Sequence, residues 1–270
     1  YQLVKIDLLD TMIYADVFDD QAYTLIDESE DLEKILEIAI GGFKHINPSF
    51  ANYIDWDDRA ENGGYELEIF GDDYKSLFRG SMMLLSPHVE IALRKALRYH
   101  RGQIRKGDDK QYIIHLLEIS RLLFGRGGVE IDWEIIAASL CHDLLEDTDC
   151  PESEIEKWCG PEVLRIVKAV TNDDTLGWED KKSKYIETVK EGGEKAMIVC
   201  LADKIVNLKA LLEIYEKEGE KVWARFNRGK EKKLWFEHAV LKMLKENLDH
   251  PLIEKYDDLI GKLEQEESAY

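Results

Sequence analysis

The chain has few cysteines, no long apolar run and no excess of positive charge. Cys141, Cys150, Cys159 and Cys200 are its four cysteines in 270 residues, and no two are spaced CxxC. That excludes a disulfide-stapled scaffold and a Cys-rich structural zinc site. No apolar run approaches the ~18 residues of a membrane span, and no charged-then-apolar signal segment opens the sequence. The expectation is a cytoplasmic protein with reduced thiols and no membrane partner. With 56 acidic and 36 basic residues, the net charge of −20 repels nucleic acid backbones and anionic lipid at long range. Any phosphate that this protein handles must be held by a metal and a local basic cluster.

A hydrophobic content of 44% is ordinary for a globular protein and rules out wholesale disorder. The length predicts one large domain or two unequal ones. Acidic charge is concentrated at the start. Residues 1–85 hold 19 acidic and 6 basic residues, net −13, which leaves 37 acidic and 30 basic, net −7, for the remainder. Apolar spacing from Asp31 to Ile40 is helical, and Tyr65 to Phe70 alternates like a strand after Gly63-Gly64. Residues 1–85 therefore read as an acidic accessory domain of mixed α and β structure. They carry no chemical motif, and a protein partner for them is compatible with the rest of the reading.

From residue 86 the pattern is helical, so residues 86–270 read as a mainly α bundle with flanking C-terminal helices. Ser86-Pro87 is a helix start. A second helix holds Ile113 to Leu122 and ends near Gly125, and Asp132 caps a third, from Trp133 to about Leu145. Pro151 opens a short helix that Gly160 closes, and Pro161 opens another through Val170. Ala196 to Tyr215 forms a long apolar helix, followed by more charged helices over about 220–248 and 252–265.

Four residues on these helices stand out: His115, the pair His142-Asp143, and Asp203. Two imidazoles and two carboxylates suit a divalent first-row metal. Their long spacings require three different helices, which is how a metal site is built inside a bundle, and point to hydrolysis there. Alone, His115 reads as a core histidine and Cys141 as a small buried residue; it is the His-Asp pair and Asp203 that make His115 a ligand candidate. Asp203 lies in an apolar helix, where a carboxylate is costly unless paired or metal-bound. Lys204, next to it, is expected to face solvent.

Residues three and four apart share a helix face, so Glu146 and Asp147 fall one turn beyond His142-Asp143. Such carboxylates are disfavoured at a helix C-terminus but are well placed near a metal, where Glu146 can serve as base to an attacking water. Asn207, one turn after Asp203, adds a neutral hydrogen-bonding group. His100, Gln103, Arg105 and Lys106 form a polar, basic stretch that can be an ordinary charged loop or can pair with phosphate.

Taken in order, the segments His-Arg-Gly-Gln-Ile-Arg-Lys, Tyr-Ile-Ile-His, Leu-Cys-His-Asp-Leu-Leu-Glu-Asp-Thr, Val-Thr-Asn-Asp-Asp-Thr-Leu and Leu-Ala-Asp-Lys-Ile-Val-Asn-Leu resemble the HD superfamily of metal-dependent phosphohydrolases. More narrowly, they resemble the (p)ppGpp hydrolase domains of RelA/SpoT homologues, of the small stand-alone type that includes the metazoan SpoT homologues. The likeness runs from about Ile91 to Leu244. It implies an HD-domain helical bundle in which His115, His142, Asp143 and Asp203 bind one Mn²⁺ while Glu146 and Asp147 orient or activate water. It also implies that Arg105, Lys106 and Tyr112 lie by the guanine and ribose, with Asn207 near the nucleotide. The implied activity is 3′-pyrophosphohydrolysis of (p)ppGpp to GDP or GTP, releasing pyrophosphate, in the stringent response. Leu116 stands where the family commonly has Pro, and Val206 where it has Tyr or His. Two rival readings are the same chemistry on an adenine alarmone or on the phosphate of NADPH, and a non-catalytic alarmone sensor.

Overall fold

The computed structural model describes residues 2–7, 23–28, 65–70, 76–79, 87–105, 110–124 and 132–265. It divides into two compact units, Tyr1–Ile91 and Ala92–Tyr270. In the first, strands β1 (Gln2–Asp7), β2 (Tyr23–Glu28), β3 (Tyr65–Phe70) and β4 (Ser76–Arg79) form an antiparallel sheet in the order β2-β1-β3-β4. In β1, Ile6 is opposite Tyr23 on one side and Glu66 on the other. Strand β3 occupies the stretch whose alternation predicts a strand. The helical spacing over residues 31–40 lies outside the described residues.

The helical part begins with α1 (Pro87–Tyr99), through which the boundary between the two units passes, and α2 (Tyr112–Phe124). It continues with α3 (Trp133–Cys141), α4 (Leu144–Asp147), α5 (Glu152–Cys159), α6 (Pro161–Val170) and α7 (Trp178–Glu191). Last come α8 (Gly193–Glu218), a 3₁₀ segment (Gly219–Arg225), α9 (Gly229–Asn247) and α10 (Leu252–Gln265). Among the described residues no helix is long and apolar enough to cross a membrane. Asp132 caps α3 by accepting from the N–H groups of Glu134 and Ile135 at 2.9 and 3.3 Å, satisfying donors that a helix start leaves unpaired.

Two helices are interrupted where the sequence predicts continuity. Helix α3 stops at Cys141 instead of running to about Leu145, because Asp143 adopts φ −97°, ψ 0°. The Asp143 carbonyl then accepts from the N–H groups of Glu146 and Asp147 at 3.2 and 2.8 Å, and the chain rewinds for one turn as α4. In an unbroken helix neighbouring side chains diverge by about 100°; the break lets His142 and Asp143 turn towards one another. The second departure is in the expected 220–248 helix, which is a 3₁₀ segment followed by α9. Gly219 ends α8 at φ 60°, a backbone region that glycine enters without a Cβ clash.

Helix α8 is central and packs against α2, α3, α6, α7, α9 and α10. Its Ala202 and Val206 meet Ile119 of α2 in the core. Small residues bring the helices close. A Cβ on Gly192 would lie 2.5 Å from that of Ala169 and 2.7 Å from that of Ala196, so glycine there lets the α7–α8 corner sit against α6. Ser120 of α2 and Ser139 of α3 are fully buried and share a 3.0 Å hydrogen bond, which satisfies both hydroxyls and locks the two helices that carry the histidines. Glu237 of α9, also fully buried, is paired with Lys233 and with the Tyr256 hydroxyl of α10, both at 2.5 Å. Removal of either partner would leave charge stranded in the core.

Candidate metal centre

His115 projects from the first turn of α2, His142 and Asp143 from the break after α3, and Asp203 from the middle of α8. They converge. His115 Nε2 lies 3.2 Å from Asp203 Oδ1 and 3.9 Å from Asp143 Oδ2; His142 Nε2 lies 2.9 Å from Asp143 Oδ2 and 3.7 Å from Asp203 Oδ1. Donor atoms of His115, His142 and Asp143 all lie within 4.8 Å of one another. His142 Nδ1 is 2.9 Å from the Ser139 carbonyl. A carbonyl only accepts, so Nδ1 carries a ring proton, and Nε2, facing the carboxylates, would offer its lone pair to a metal bound there.

Each carboxylate is anchored. Asp203 Oδ1 accepts from Asn207 Nδ2 at 2.6 Å, and Oδ2 accepts from Lys204 Nζ at 3.1 Å. Asp143 Oδ2 accepts from the Tyr112 hydroxyl. Lys204 does not face solvent as expected: its side chain is 13% exposed, with Nζ 5.1 Å from the Tyr185 ring and 5.4 Å from that of Phe236. Pairing with buried Asp203 and with two aromatic faces holds it inward.

Burial opposes the charge on Asp203, yet Lys204 and the two imidazoles outweigh it and hold the carboxyl well below the usual range. Burial likewise opposes ionisation of Asp143, and neighbouring His142 overrides it, with the carboxyl at about 2. His142 is pulled the other way: burial disfavours its cation, but Asp143 and Asp203 raise its pKa well above the ordinary value. Two ionised carboxylates thus draw positive charge into the middle of the cluster. A divalent cation meets that demand better than a proton, and two nitrogens with two carboxylates suit it.

The remaining expected residues that the structure describes lie near this cluster. Glu146 receives the Asn172 backbone N–H at 3.0 Å and the Asn172 side-chain amide at 3.2 and 3.0 Å. Asp147 is exposed at the end of α4, and partial burial with the Asp143 charge raises its pKa. Arg105 Nη2 donates to Asn207 Oδ1 at 2.7 Å. Tyr112 stacks on His100 with 4.7 Å between ring centroids and lies edge-on to His115 at 5.6 Å. His100 is in turn fixed by Gln103 at 2.7 Å from Nδ1. Lys106 lies outside the described residues.

Three residues without an assigned role in the sequence reading belong to this environment. Ser139 orients His142; Asn172 holds Glu146; Lys182 donates to Asn172 Oδ1 at 3.1 Å. Asn172 falls within the Val-Thr-Asn-Asp-Asp-Thr-Leu segment, so its neighbourhood was legible, whereas Lys182 gave no signal among the many lysines of α7.

Similar chains carry informative descriptions. The guanosine-3′,5′-bis(diphosphate) 3′-pyrophosphohydrolase MESH1 of Xenopus tropicalis is 39% identical over 117 residues, which are 43% of this chain and 65% of that protein. The Homo sapiens protein of that description is 38% identical over 117 residues, again 43% and 65%. The one from Danio rerio is 37% identical over 132 residues, 48% and 71%. The chain thus spans 65% of the length of the frog and human relatives. A solved structure described as "A metazoan ortholog of SpoT hydrolyzes ppGpp and plays a role in starvation responses" matches with a TM-score of 0.54 and 26% identity, covering 66% of this chain and 96% of that one. A Listeria monocytogenes structure, lmo0812, matches with a TM-score of 0.50 and 29% identity, covering 55% and 97%. The family model described as HD domain matches residues 92–231, more than half of the sequence and every one of the four converging residues, and the chain belongs to the HD domain family.

Proposed function

We propose that this protein is a metal-dependent guanosine-3′,5′-bis(diphosphate) 3′-pyrophosphohydrolase, releasing pyrophosphate from (p)ppGpp to leave GDP or GTP. The observation that carries this reading is the convergence of His115, His142, Asp143 and Asp203 beside a held Glu146, in a chain similar to proteins described by that activity. His115, His142, Asp143 and Asp203 would hold a divalent cation, taken here as Mn²⁺, which would supply Lewis acidity to lower the pKa of an attacking water and offset phosphate charge.

The protein's own groups do the rest. Glu146 takes the proton from the attacking water on a carboxylate oxygen, its orientation set by Asn172. Asp147, one residue on and open to solvent, orients that water. Arg105, with Lys106, meets the anionic nucleotide; Tyr112 stacks near the ribose and base, and Asn207 lies between Arg105 and Asp203. These local cations matter because the chain as a whole, at net −20, repels an anionic substrate.

Residues 86–270 form the catalytic domain in this reading. Residues 1–85 form an acidic accessory domain of mixed structure that supplies no catalytic group and is available to a protein partner, in a cytoplasmic enzyme. The test is turnover of ppGpp by the full chain with and without added Mn²⁺, beside an adenine alarmone and NADPH. Pyrophosphate and GDP formed only with metal is the expected result. Faster turnover of either alternative substrate would reassign specificity, and nucleotide binding without turnover of any would mark a sensor.

A further inference from the structure

Lys182 is an anomaly among the lysines around the centre. Lys181 pairs with Asp174 at 2.7 Å, Lys204 with Asp203 at 3.1 Å and Lys233 with Glu237 at 2.5 Å. Lys182 has no ion pair among the described residues. Its Nζ lies 4.7 Å from the Phe236 ring centroid and 3.1 Å from Asn172 Oδ1. Burial, with Lys204 as a like-charged neighbour, depresses its pKa to about 8 against the opposing attraction of Glu146. Burial of this half-buried ammonium outweighs the pull of the Glu146 carboxylate and is costly to the fold, so its placement calls for a role other than stability.

Its hydrogen bond points to that role. An ammonium only donates, so the Asn172 side-chain atom that it meets must be the amide oxygen, and the NH₂ of the same amide must face the other way. There it donates to both oxygens of Glu146, at 3.2 and 3.0 Å, while the Asn172 backbone N–H adds a third bond at 3.0 Å. Without Lys182 the amide oxygen loses its donor, and the amide that holds the carboxylate loses its anchor on the other side.

We infer that Lys182 and Asn172 are positioning residues for Glu146: the Lys182 ammonium fixes the Asn172 amide, and the amide holds the carboxylate for proton transfer. This rests on Glu146 as the base. Helices α4 and α7 are thereby linked through the α6–α7 loop by chain-specific contacts 26 and 10 residues apart in sequence.

The experiment compares Lys182→Gln, Asn172→Ala, the double variant, Lys182→Arg and Glu146→Gln in the full chain, with ppGpp and Mn²⁺. Expected are kcat losses of about tenfold for Lys182→Gln and Asn172→Ala, with KM and bound metal within about twofold of wild type. The double variant should be no slower than the worse single one, because both act through one amide, and Lys182→Arg should recover most of the rate. A raised KM with unchanged kcat, or an additive double variant, overturns the inference in favour of direct substrate contact by Lys182. Slow Glu146→Gln beside wild-type Lys182→Gln and Asn172→Ala sinks the inference alone; fast Glu146→Gln sinks the assignment of the base. A crystal structure of metal-loaded Lys182→Gln reads positioning without any substrate: Glu146 turned from Asn172 supports the relay, and Glu146 unmoved overturns it.

Discussion

Arg105 and Asn207 are 102 residues apart in sequence and meet through a 2.7 Å hydrogen bond from guanidinium Nη2 to amide Oδ1. With its oxygen engaged, the Asn207 amide turns its NH₂ to Asp203. A group expected to meet substrate is therefore one amide away from a candidate metal ligand. Arg105→Ala should raise KM for ppGpp by about 10–100-fold, the worth of one or two charge-assisted hydrogen bonds. Bound metal should change little, since Lys204 still holds Asp203. Steady-state kinetics with metal analysis checks both; unchanged KM removes Arg105 from the substrate site.

His142→Ala should abolish metal binding. It removes one nitrogen and leaves Asp143 and Asp203 facing each other with less positive charge between them. Metal content measured on the purified variant should fall from about one ion per chain to background. Full occupancy would mean that the metal sits elsewhere.

Glu146→Gln separates binding from chemistry. The amide has nearly the shape of the carboxylate but cannot take a proton, and the ligand cluster is untouched. Turnover should fall by about 10²–10⁴-fold while nucleotide affinity and metal content persist. Rapid turnover with this variant would take the base role away from Glu146.

Lys182→Met should stabilise the fold while slowing turnover. Lys182 titrates at about 8 in the folded chain, where burial and Lys204 disfavour its charge, against about 10.4 in an unfolded one. The unfolded state therefore binds more protons between those values, so stability rises with pH across that window and the penalty is fully present at pH 7. Methionine keeps the apolar stem over Phe236 without the charge. A gain of about 1–2 kcal/mol at pH 7, after discount for partial exposure, is expected to vanish above about pH 10.5. Denaturant unfolding at both pH values provides the check; a loss of stability at pH 7 would show that the ammonium is a structural tie.

A truncation that begins at Leu84 should fold and hydrolyse ppGpp. It keeps α1 whole and retains every residue of the converging cluster. If the acidic segment repels anionic substrate, its removal raises activity at low salt and the gain fades as ionic strength grows. A soluble, metal-loaded but inactive truncation would show that residues 1–85 complete the site.

The sequence alone determined where α3, α5 and α6 start and which residue types come together. Helical apolar spacing, the Asp132 cap, and the Pro and Gly punctuation at 151, 160 and 161 are local signals, read within one or two turns. The chemistry of two histidines and two aspartates is likewise a property of the residues themselves. Only the tertiary structure decided how those groups face one another. The break that turns Asp143 towards His142 arises where the chain leaves α3, in a run whose periodicity continues smoothly. Lys204 points inward because Asp203, Tyr185 and Phe236 surround it, though its place in the sequence predicts a solvent-facing neighbour. The bonds from Arg105 to Asn207 and from Asn172 to Glu146 join segments that no local pattern relates. Hydrogen bonds are short-ranged and directional, so which donors meet which acceptors follows from the packing of α2, α3, α6 and α7 around α8.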